Sequence, residues 1–169
     1  WYFNTGTDGA GIYINGASPV FNNCIIRDNE VYSYTNNSNS SGGGIYANNS
    51  SSVFTGCSIL NNKVHTEVNH SSNDAWSYGG GIYISGTSNV TLQNCIINDN
   101  WAYTQDHNSN GSSVGYAYGG GVYSNVSGTT TITDCEIARN NINWDGHNID
   151  ARSAGVYVEG GTANLTNVT

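Results

Sequence analysis

The sequence predicts an all-β fold, a right-handed parallel β-helix of about five coils with three short strands and one variable loop in each coil. Three observations predict this solenoid: a glycine-rich motif recurs along the chain, apolar residues alternate with period two after each copy, and the composition favours strands and turns. The 169 residues include 22 Gly and a single Pro, and only 9% are charged, against about 25% in ordinary globular domains. The length fits one β-helix domain, which covers residues 1–169.

The repeat begins with a glycine-rich corner that ends in an aliphatic residue and a tyrosine. Its fullest copy is Gly79–Tyr83, and the five tyrosines of the motif are spaced by 33, 37, 40 and 34 residues. In four of the five units a cysteine follows the tyrosine after 11 or 12 residues. Each unit therefore has a half of nearly fixed length and a variable half that absorbs the difference. The motif residues are Tyr13, Tyr46, Tyr83, Tyr123 and Tyr157, followed by Cys24, Cys57, Cys95 and Cys135.

Alignment on the cysteines places matching residue types at matching positions in successive units. Aliphatic or aromatic residues stand three positions before each cysteine, isoleucines two positions after it and asparagines five positions after it. Alternation with period two is typical of strands with one buried face, and identical columns are typical of coils that stack in register. The predicted columns are Phe21, Phe54, Leu92 and Ile132; Ile26, Ile59, Ile97 and Ile137; and Asn29, Asn62, Asn100 and Asn140.

The asparagine column predicts a ladder of side-chain hydrogen bonds along the solenoid axis. Asparagine tolerates left-handed backbone, and its amide can bond the amide of the next coil. The glycines are predicted to serve another corner, where a positive φ or a close backbone approach excludes a Cβ atom.

The four cysteines fall in one column, for which two interpretations remain open. Stacked coils bring neighbouring Cα atoms to about 4.8 Å, which lies within the range of a disulfide, but their parallel side-chain vectors suit the bond poorly. The column contains either buried free thiols or one or two disulfides between coils, Cys24–Cys57 and Cys95–Cys135. Because the spacing contains no CxxC motif and a linear stack of sulfurs is not tetrahedral, we expect no zinc or other cofactor.

The tyrosines form a second distinctive column. The aliphatic residue before each tyrosine is predicted to face the core, so all five tyrosines are predicted to face outward as an aromatic strip. Such a strip indicates a lateral packing seam or a sugar-binding platform, unless the variable halves fold back and cover it.

Loops are predicted where the length of the unit varies, and they leave the solenoid at one corner. These variable halves span residues 32–41, 65–78, 103–118 and 143–152. They contain all the histidines with acidic residues nearby, but the spacing fits no metal-site pattern. A solvated polar surface is the favoured interpretation of this group, which comprises His65, His70, His107 and His147 with Glu67, Asp74, Asp106, Asp145 and Asp150.

Charge and hydropathy exclude two classes of partner. With four basic residues and a net charge of −8, the chain is not expected to bind nucleic acid. No apolar run approaches the roughly 18 residues of a membrane span, so membrane insertion is not expected. Ten Asn-x-Ser/Thr sequons in a chain with few charges favour an extracellular or cell-surface glycoprotein. The best acceptors, placed in loops or turns, are Asn39, Asn49, Asn69, Asn110 and Asn125.

The glycine and asparagine motifs resemble the paired GGA[I/L/V] and FxxN motifs of polymorphic outer-membrane-protein repeats. The matches are Gly42–Ile45 with Ile59–Asn62, Gly79–Ile82 with Ile97–Asn100, Gly119–Val122 with Ile137–Asn140 and, more loosely, Gly9–Ile12 with Ile26–Asn29. This chain has Gly where those repeats have Ala, has Ile where they have Phe, and adds a cysteine column. The resemblance covers nearly the whole chain and implies a cell-surface β-helix, often an adhesive one.

The sequence therefore favours an extracellular structural or adhesive β-helix glycoprotein, a building block of a surface fibre or an adhesin stalk. The alternative is a carbohydrate-binding or polysaccharide-processing β-helix. Catalysis is not expected, because the basic residues do not cluster in one coil and the pairs Asp28/Asp99 and Asp134/Glu136 give no acid and base at a suitable spacing. The first and last units lack polar caps, which predicts either a segment of a longer chain or a subunit that self-associates end to end.

Overall fold

The computed structural model describes residues 3–4, 8–34, 39–68, 74–107, 114–145 and 148–169. Over these ranges the chain forms parallel strands and no helix, and it winds as a right-handed β-solenoid of about four turns. Four sheets run along the axis, and equivalent strands of successive coils pair side by side. We label the sheets A to D and number the strands in chain order.

Sheet C contains the glycine–aliphatic–tyrosine motifs and the strands that precede the cysteines. Equivalent residues pair directly, so that Ile45 lies in register between Ile12 and Ile82. The strands of sheet C are β2 (Ile12–Asn15), β3 (Val20–Asn22), β7 (Ile45–Asn48), β8 (Val53–Thr55), β12 (Ile82–Gly86), β13 (Val90–Gln93), β17 (Val122–Thr133) and β20 (Val156–Thr166). In the last two coils one long strand, β17 or β20, runs through both ladders of the sheet.

Sheet D closes the core with three strands, which begin one residue after Cys24, Cys57 and Cys95. Its strands are β4 (Ile25–Arg27), β9 (Ser58–Leu60) and β14 (Ile96–Asn98). Between sheets C and D, the side chains of Phe54, Ile59, Leu92 and Ile97 are completely buried. Because burial of one such side chain stabilises a fold by about 1.5–3 kcal/mol, these stacked columns are the main source of stability in each coil.

The variable halves are strands over most of their described length, which corrects the prediction of loops and of three strands per coil. Sheet A runs away from the core and sheet B returns to it, and the two sheets pack back to back as a flank. Sheet A contains β1 (Phe3–Asn4), β5 (Glu30–Tyr34), β10 (Lys63–Val68), β15 (Trp101–Asp106) and β18 (Asn141–Asp145). Sheet B contains β6 (Asn39–Ser41), β11 (Ala75–Tyr78), β16 (Gly115–Tyr118) and β19 (Ile149–Arg152).

Small and hydroxyl side chains fill the interior of this flank. Thr66, Ser77 and Thr104 are buried, and Ser77 Oγ lies 2.9 Å from Thr66 Oγ1 and 3.0 Å from Thr104 Oγ1. Thr66 donates to the carbonyl of Trp76 at 3.0 Å, and Thr104 donates to that of Tyr116 at 2.7 Å. Since the inward positions are polar, these segments lack the apolar alternation that marks a strand in a sequence.

Left-handed residues turn the chain at the corners of each coil. The positive φ belongs to the residue before each ladder asparagine, which corrects the prediction that the asparagine itself adopts this conformation. The left-handed residue redirects the chain so that the next side chain points along the axis towards its neighbour. The residues in question are Asp28, Asn61, Asp99 and Arg139, with φ values from 51° to 59°.

The asparagine ladder runs through the described stack. Asn29 Nδ2 donates to Asn62 Oδ1 at 2.9 Å, Asn62 Nδ2 to Asn100 Oδ1 at 3.0 Å, and Asn100 Nδ2 to Asn140 Oδ1 at 2.9 Å. The same oxygens accept the backbone N–H of the preceding ladder residue at 3.0–3.2 Å. Asn62 and Asn100 are completely buried, so the ladder satisfies polar groups that water does not reach.

The four cysteines are free thiols in one column, and the alternative of disulfides between coils is not what the structure contains. Cys57, Cys95 and Cys135 are buried, whereas Cys24 is half-buried at the first coil, which corrects its assignment to the buried core. The backbone N–H of Cys95 donates to Cys135 Sγ at 3.3 Å. The neighbouring thiol of Cys135 and the loss of hydration raise the pKa of Cys95, so this buried thiol stays protonated at neutral pH.

Candidate binding groove

The five motif tyrosines form a continuous column along sheet C. Each one pairs in register with the tyrosine of the next coil. The ring centroids lie 5.0 Å apart for Tyr13 and Tyr46, 5.2 Å for Tyr46 and Tyr83, 5.2 Å for Tyr83 and Tyr123, and 5.7 Å for Tyr123 and Tyr157. Because atoms of rings in contact approach to about 3.5–4.0 Å, these separations indicate stacked rings that overlap with an offset.

Sheet B adds four aromatic side chains that face the same space. Trp76 and Tyr116 stack at 5.3 Å with an interplanar angle of 3°. Tyr78 lies 4.8 Å from Tyr123, between ring centroids, and Tyr118 lies 5.2 Å from Tyr157. Outward-facing rings of two sheets touch only where the sheets meet at a concave corner. We call this concavity the tyrosine groove, and it is lined by Tyr13, Tyr46, Trp76, Tyr78, Tyr83, Tyr116, Tyr118, Tyr123 and Tyr157.

The groove is open at the first coil and closed towards the later coils. Tyr13 is 56% exposed, whereas Tyr123 is 2% exposed. Tyr123 faces outward from sheet C like the other four tyrosines, but Tyr78 and Tyr118 of sheet B cover it. The open alternative, in which the variable halves cover the strip, therefore holds at this position. The half-buried members of the column are Tyr46, Tyr83 and Tyr157.

An ion pair holds the tyrosine hydroxyls at the closed end. The Arg152 guanidinium donates to both oxygens of Asp150 at 2.7 and 2.9 Å, and to the hydroxyl of Tyr157 at 3.1 Å. It also lies over the ring of Tyr118, 5.3 Å from the centroid, and the hydroxyl of Tyr118 donates to Asp150 at 2.9 Å. The hydrogen bonds from Arg152 lower the pKa of Asp150, so this carboxylate is charged at neutral pH.

Burial raises the pKa of the tyrosines that line the closed end. Loss of hydration raises the pKa of Tyr83 to about 12. The same cause raises the pKa of Tyr78, Tyr118 and Tyr123, and the hydrogen bond from the Tyr123 hydroxyl to Glu159 adds to it. These phenols therefore stay neutral at physiological pH, and the groove presents uncharged hydroxyls.

Alkaline pH is expected to destabilise the fold in part through Tyr83. A folded pKa of about 12 lies above the value of about 10 for a tyrosine in the unfolded chain. The resulting stabilisation is complete below about pH 10 and is lost as the pH rises towards about 12. Urea denaturation between about pH 9 and 12 should show a shallower loss of stability for Tyr83→Phe than for the wild type. Tyr34→Phe, at an exposed tyrosine, is the control and should lose stability with pH as the wild type does. Equal slopes of stability against pH for Tyr83→Phe and the wild type would contradict the expectation.

A second polar group lies on the outer face of sheet A, on the other side of the flank. The imidazole of His65 lies between the rings of Tyr32 and Tyr103, at centroid distances of 5.0 and 4.5 Å. Its nitrogens lie 3.7 Å from Glu30 and 3.1 Å from Glu67. Although His65 Nε2 lies 3.1 Å from Glu67, the angle does not suit a hydrogen bond, and Nε2 makes none within the described structure.

The same cluster includes a lysine and a second histidine. Lys63 lies 3.2 Å from Glu30, and His107 lies 3.3 Å from Glu67. The imidazole of His65 beside Glu30 lowers the pKa of this carboxyl, with the Lys63 charge acting in the same direction. Among the described residues, no group of three His, Cys, Asp or Glu side chains is arranged to hold a metal ion. His70 and His147 lie outside the described residues.

Three of the five preferred sequons fall within the described structure. Asn39 is exposed on β6, Asn49 is exposed in a left-handed turn, and Asn125 is exposed within β17 rather than in the predicted turn. The amide of Asn125 donates to Glu159 at 3.0 Å. Asn69 and Asn110 lie outside the described residues.

Four groove residues were not found by the sequence reasoning: Trp76, Tyr78, Tyr116 and Tyr118. A signal for them exists, because aromatic residues stand one and three positions before the glycine triplets at Gly79 and Gly119. Alignment on the cysteines hides this pattern, since the variable halves differ in length. Alignment on the glycine triplets places Trp76 with Tyr116 and Tyr78 with Tyr118, the pairs that share rungs of sheet B.

Comparison with curated proteins and with solved structures gives no match. No helix in the described ranges is long and apolar enough to cross a membrane. The family match spans residues 3–169, which is nearly the whole chain, and the parallel solenoid with its stacked columns agrees with it. The narrower likeness to polymorphic outer-membrane-protein repeats stays a prediction. The chain belongs to the right-handed β-helix region family.

Proposed function

We propose that this protein is an extracellular, non-catalytic β-helix that acts as a structural or adhesive rod and contacts its partners through the tyrosine groove. The observation that carries the proposal is the groove itself, in which stacked rings repeat every 5.0–5.7 Å along one side of the solenoid. Tyrosine joins a large apolar ring to a polar hydroxyl and is enriched at protein contact surfaces. A long surface of this kind suits an extended or repetitive partner better than a small substrate.

The scaffold under the groove supports a mechanical role. Parallel ladders connect every coil to the next in sheets A, B and C, and the buried asparagine ladder joins the corners. Each coil contacts only its neighbours, so stiffness along the axis follows from repetition of the same interface. The groove residues are thereby held at fixed spacing without help from a ligand.

The carboxylates considered for catalysis have structural partners. Asp28 accepts from Asn61 at 2.6 Å, and Asp99 pairs with Arg139 at 2.9 and 3.1 Å. Asp134 accepts from Asn167 and Glu136 from Asn98, at 2.8 and 2.6 Å. These bonds lie between coils and form polar ladders on the surface, which favours a non-catalytic role. The family itself includes both enzymes and proteins without activity.

An extracellular location is supported by the nature of the surface. Asn, Ser, Thr and Tyr replace most of the usual charged residues, and three preferred sequons are exposed in the described structure. End-to-end self-association, or contact with further coils of the same protein, stays a prediction. Ile25 and Leu165, at opposite ends of the described stack, are 67% and 48% exposed.

Adhesion of protein-coated beads to a panel of cell surfaces and extracellular matrices tests the proposal. Beads that bear the wild type should adhere, and the double variant Tyr13→Ala with Tyr46→Ala should reduce the number of bound beads about tenfold, because two ring contacts are lost. Trp101→Ala is the matched control, since Trp101 is 39% exposed on the outer face of sheet A. Equal adhesion of the groove variant and the control would refute a contact through the groove.

Carbohydrate binding along the same groove is the second candidate, favoured by aromatic rings beside polar groups such as Asp150 and Arg152. Electrophoresis through gels that contain neutral polysaccharides would detect it as retardation of the wild type. Retardation that is lost in the groove variant and kept in Trp101→Ala supports this candidate. Depolymerisation of the polysaccharide by the protein would overturn the non-catalytic assignment.

A further inference from the structure

We propose that Asn39 carries an N-linked glycan whose first sugar packs against the indole ring of Trp76. The inference rests on the extracellular location in the proposed function but concerns a separate modification of the chain. The glycan would occupy the outer edge of the groove, formed by Trp76 and Tyr116 on sheet B. The adhesive contact of the proposed function uses a different part of the groove, the tyrosine column on sheet C.

Sheet register places the acceptor directly beside the ring. Asn39 pairs with Trp76 and Trp76 pairs with Tyr116, so the three residues occupy successive rungs of one outward column. Neighbouring rungs of a sheet lie about 4.8 Å apart. A sugar attached to the amide of Asn39 therefore begins within one rung of the indole.

In the column Asn39, Trp76 and Tyr116, only one face of the Trp76 indole has an aromatic neighbour. Tyr116 overlaps Trp76 on the side of the later coil at 5.3 Å and 3°. On the side of the earlier coil, the residue in the same column is Asn39, whose exposed side chain is small and polar. Trp76 itself is only partly buried. A pyranose ring has a flat apolar face of C–H groups, which can stack on the indole face opposite Tyr116.

The local sequence supplies the acceptor motif. Asn39-Ser40-Ser41 is a sequon without proline, as enzymatic transfer requires. The reaction needs a lipid pyrophosphate-linked oligosaccharide as donor. The Asn39 Nδ2 atom forms a bond to C1 of N-acetylglucosamine, the bond from C1 to the pyrophosphate oxygen breaks, and the amide loses one proton as the pyrophosphate leaves. No oxidant or metal from this chain takes part in the transfer.

Asn49 provides an internal comparison. Its sequon is Asn49-Ser50-Ser51 and its side chain is exposed, but its Oδ1 accepts hydrogen bonds from Thr87 at 3.0 and 3.2 Å. Asn39 and Asn49 are thus both exposed sequons, but only Asn39 pairs in register with a tryptophan. Only the glycan on Asn39 is expected to change the environment of a tryptophan.

The test uses the full chain secreted from a eukaryotic host, compared as wild type, Asn39→Gln, Trp76→Ala and the double variant. Glycopeptide mass spectrometry should find a glycan on Asn39 in the wild type and in Trp76→Ala. Loss of the glycan in Asn39→Gln should lower the melting temperature by about 2–4 °C and increase quenching of tryptophan fluorescence by acrylamide. Both effects should disappear when Trp76→Ala is the background.

Enzymatic trimming isolates the role of the first sugar. An endoglycosidase that leaves one N-acetylglucosamine should preserve the melting temperature and the quenching of the wild type. Ser51→Ala, which removes the sequon of Asn49, should leave quenching unchanged. An unmodified Asn39 in the secreted protein overturns the inference, and so does an effect of Asn39→Gln that persists without Trp76. The adhesion of beads tests the proposed function separately, because the loss of adhesion in the Tyr13 and Tyr46 double variant does not depend on whether Asn39 carries a glycan.

Discussion

Replacement of Asn62 by alanine is expected to lower the free energy of unfolding by about 3–5 kcal/mol. Asn62 is completely buried, and its side chain accepts two hydrogen bonds from Asn29 and donates one to Asn100 and one to the carbonyl of Ile26. Alanine leaves several of these partners buried without a hydrogen bond, each at a cost of about 1–3 kcal/mol. Chemical denaturation followed by circular dichroism measures the change.

Asn15→Ala is the matched control for the buried ladder. Asn15 is an exposed strand residue whose Oδ1 accepts one hydrogen bond, from Asn48 at 3.0 Å. Because water replaces this bond, the expected loss is below about 1 kcal/mol. Similar losses for Asn62→Ala and Asn15→Ala would mean that the buried ladder contributes no more than a surface contact. Asn62→Asp adds a second readout. Ionisation of the buried aspartate would place a negative charge against the carbonyl of Ile26, so stability should fall as the pH rises.

Replacement of Gly81 by alanine is expected to lower the free energy of unfolding by about 3 kcal/mol or more. A Cβ atom at Gly81 would lie 2.6 Å from the carbonyl oxygen of Gly121 and 3.0 Å from the side chain of Asn100. The first neighbour is backbone of the next coil, which cannot move without separating the two coils. The second is a member of the asparagine ladder, so the substitution disturbs two axial contacts together.

Gly155 occupies the same position of the motif in the last coil. There the nearest heavy atom to an added Cβ is Ile137 Cγ2 at 4.0 Å, an ordinary van der Waals contact. Gly155→Ala should therefore change stability by less than about 0.5 kcal/mol, as measured by the same denaturation experiment. If both substitutions were equally harmful, the requirement for glycine would lie in the motif rather than in the approach of the next coil.

The core could be predicted from the sequence because two signals agree there. Residues such as Phe54 and Leu92 recur at a fixed distance from a cysteine and alternate with polar neighbours, so period and column both identify them. The asparagine ladder was predicted from the same alignment. Its backbone geometry was not, because Asp28 and Asn29 are both residue types that tolerate a left-handed φ, and only the structure shows that the first of them adopts it.

The flank was missed because its interior is polar. Thr66, Ser77 and Thr104 are as deeply buried as the aliphatic core, but they satisfy one another by hydrogen bonds and carry no hydrophobic signature. The groove was half predicted for a related reason. The tyrosines of sheet C follow a motif of constant length, whereas Tyr78 and Tyr118 precede it at the end of segments whose lengths differ.

The asparagine ladder has a direction. Asn29, Asn62 and Asn100 each donate one side-chain hydrogen bond to the asparagine of the later coil. The second N–H of Asn62 and of Asn100 goes to a backbone carbonyl of the earlier coil. The bonds between asparagine side chains therefore all point the same way and polarise one another along the axis. One end of such a row offers an acceptor and the other end a donor. Two stacks of this kind can extend each other's ladder only when they point the same way, because the opposite orientation brings donor against donor or acceptor against acceptor. Any longitudinal assembly that continued the ladder would therefore be polar, with two chemically different tips.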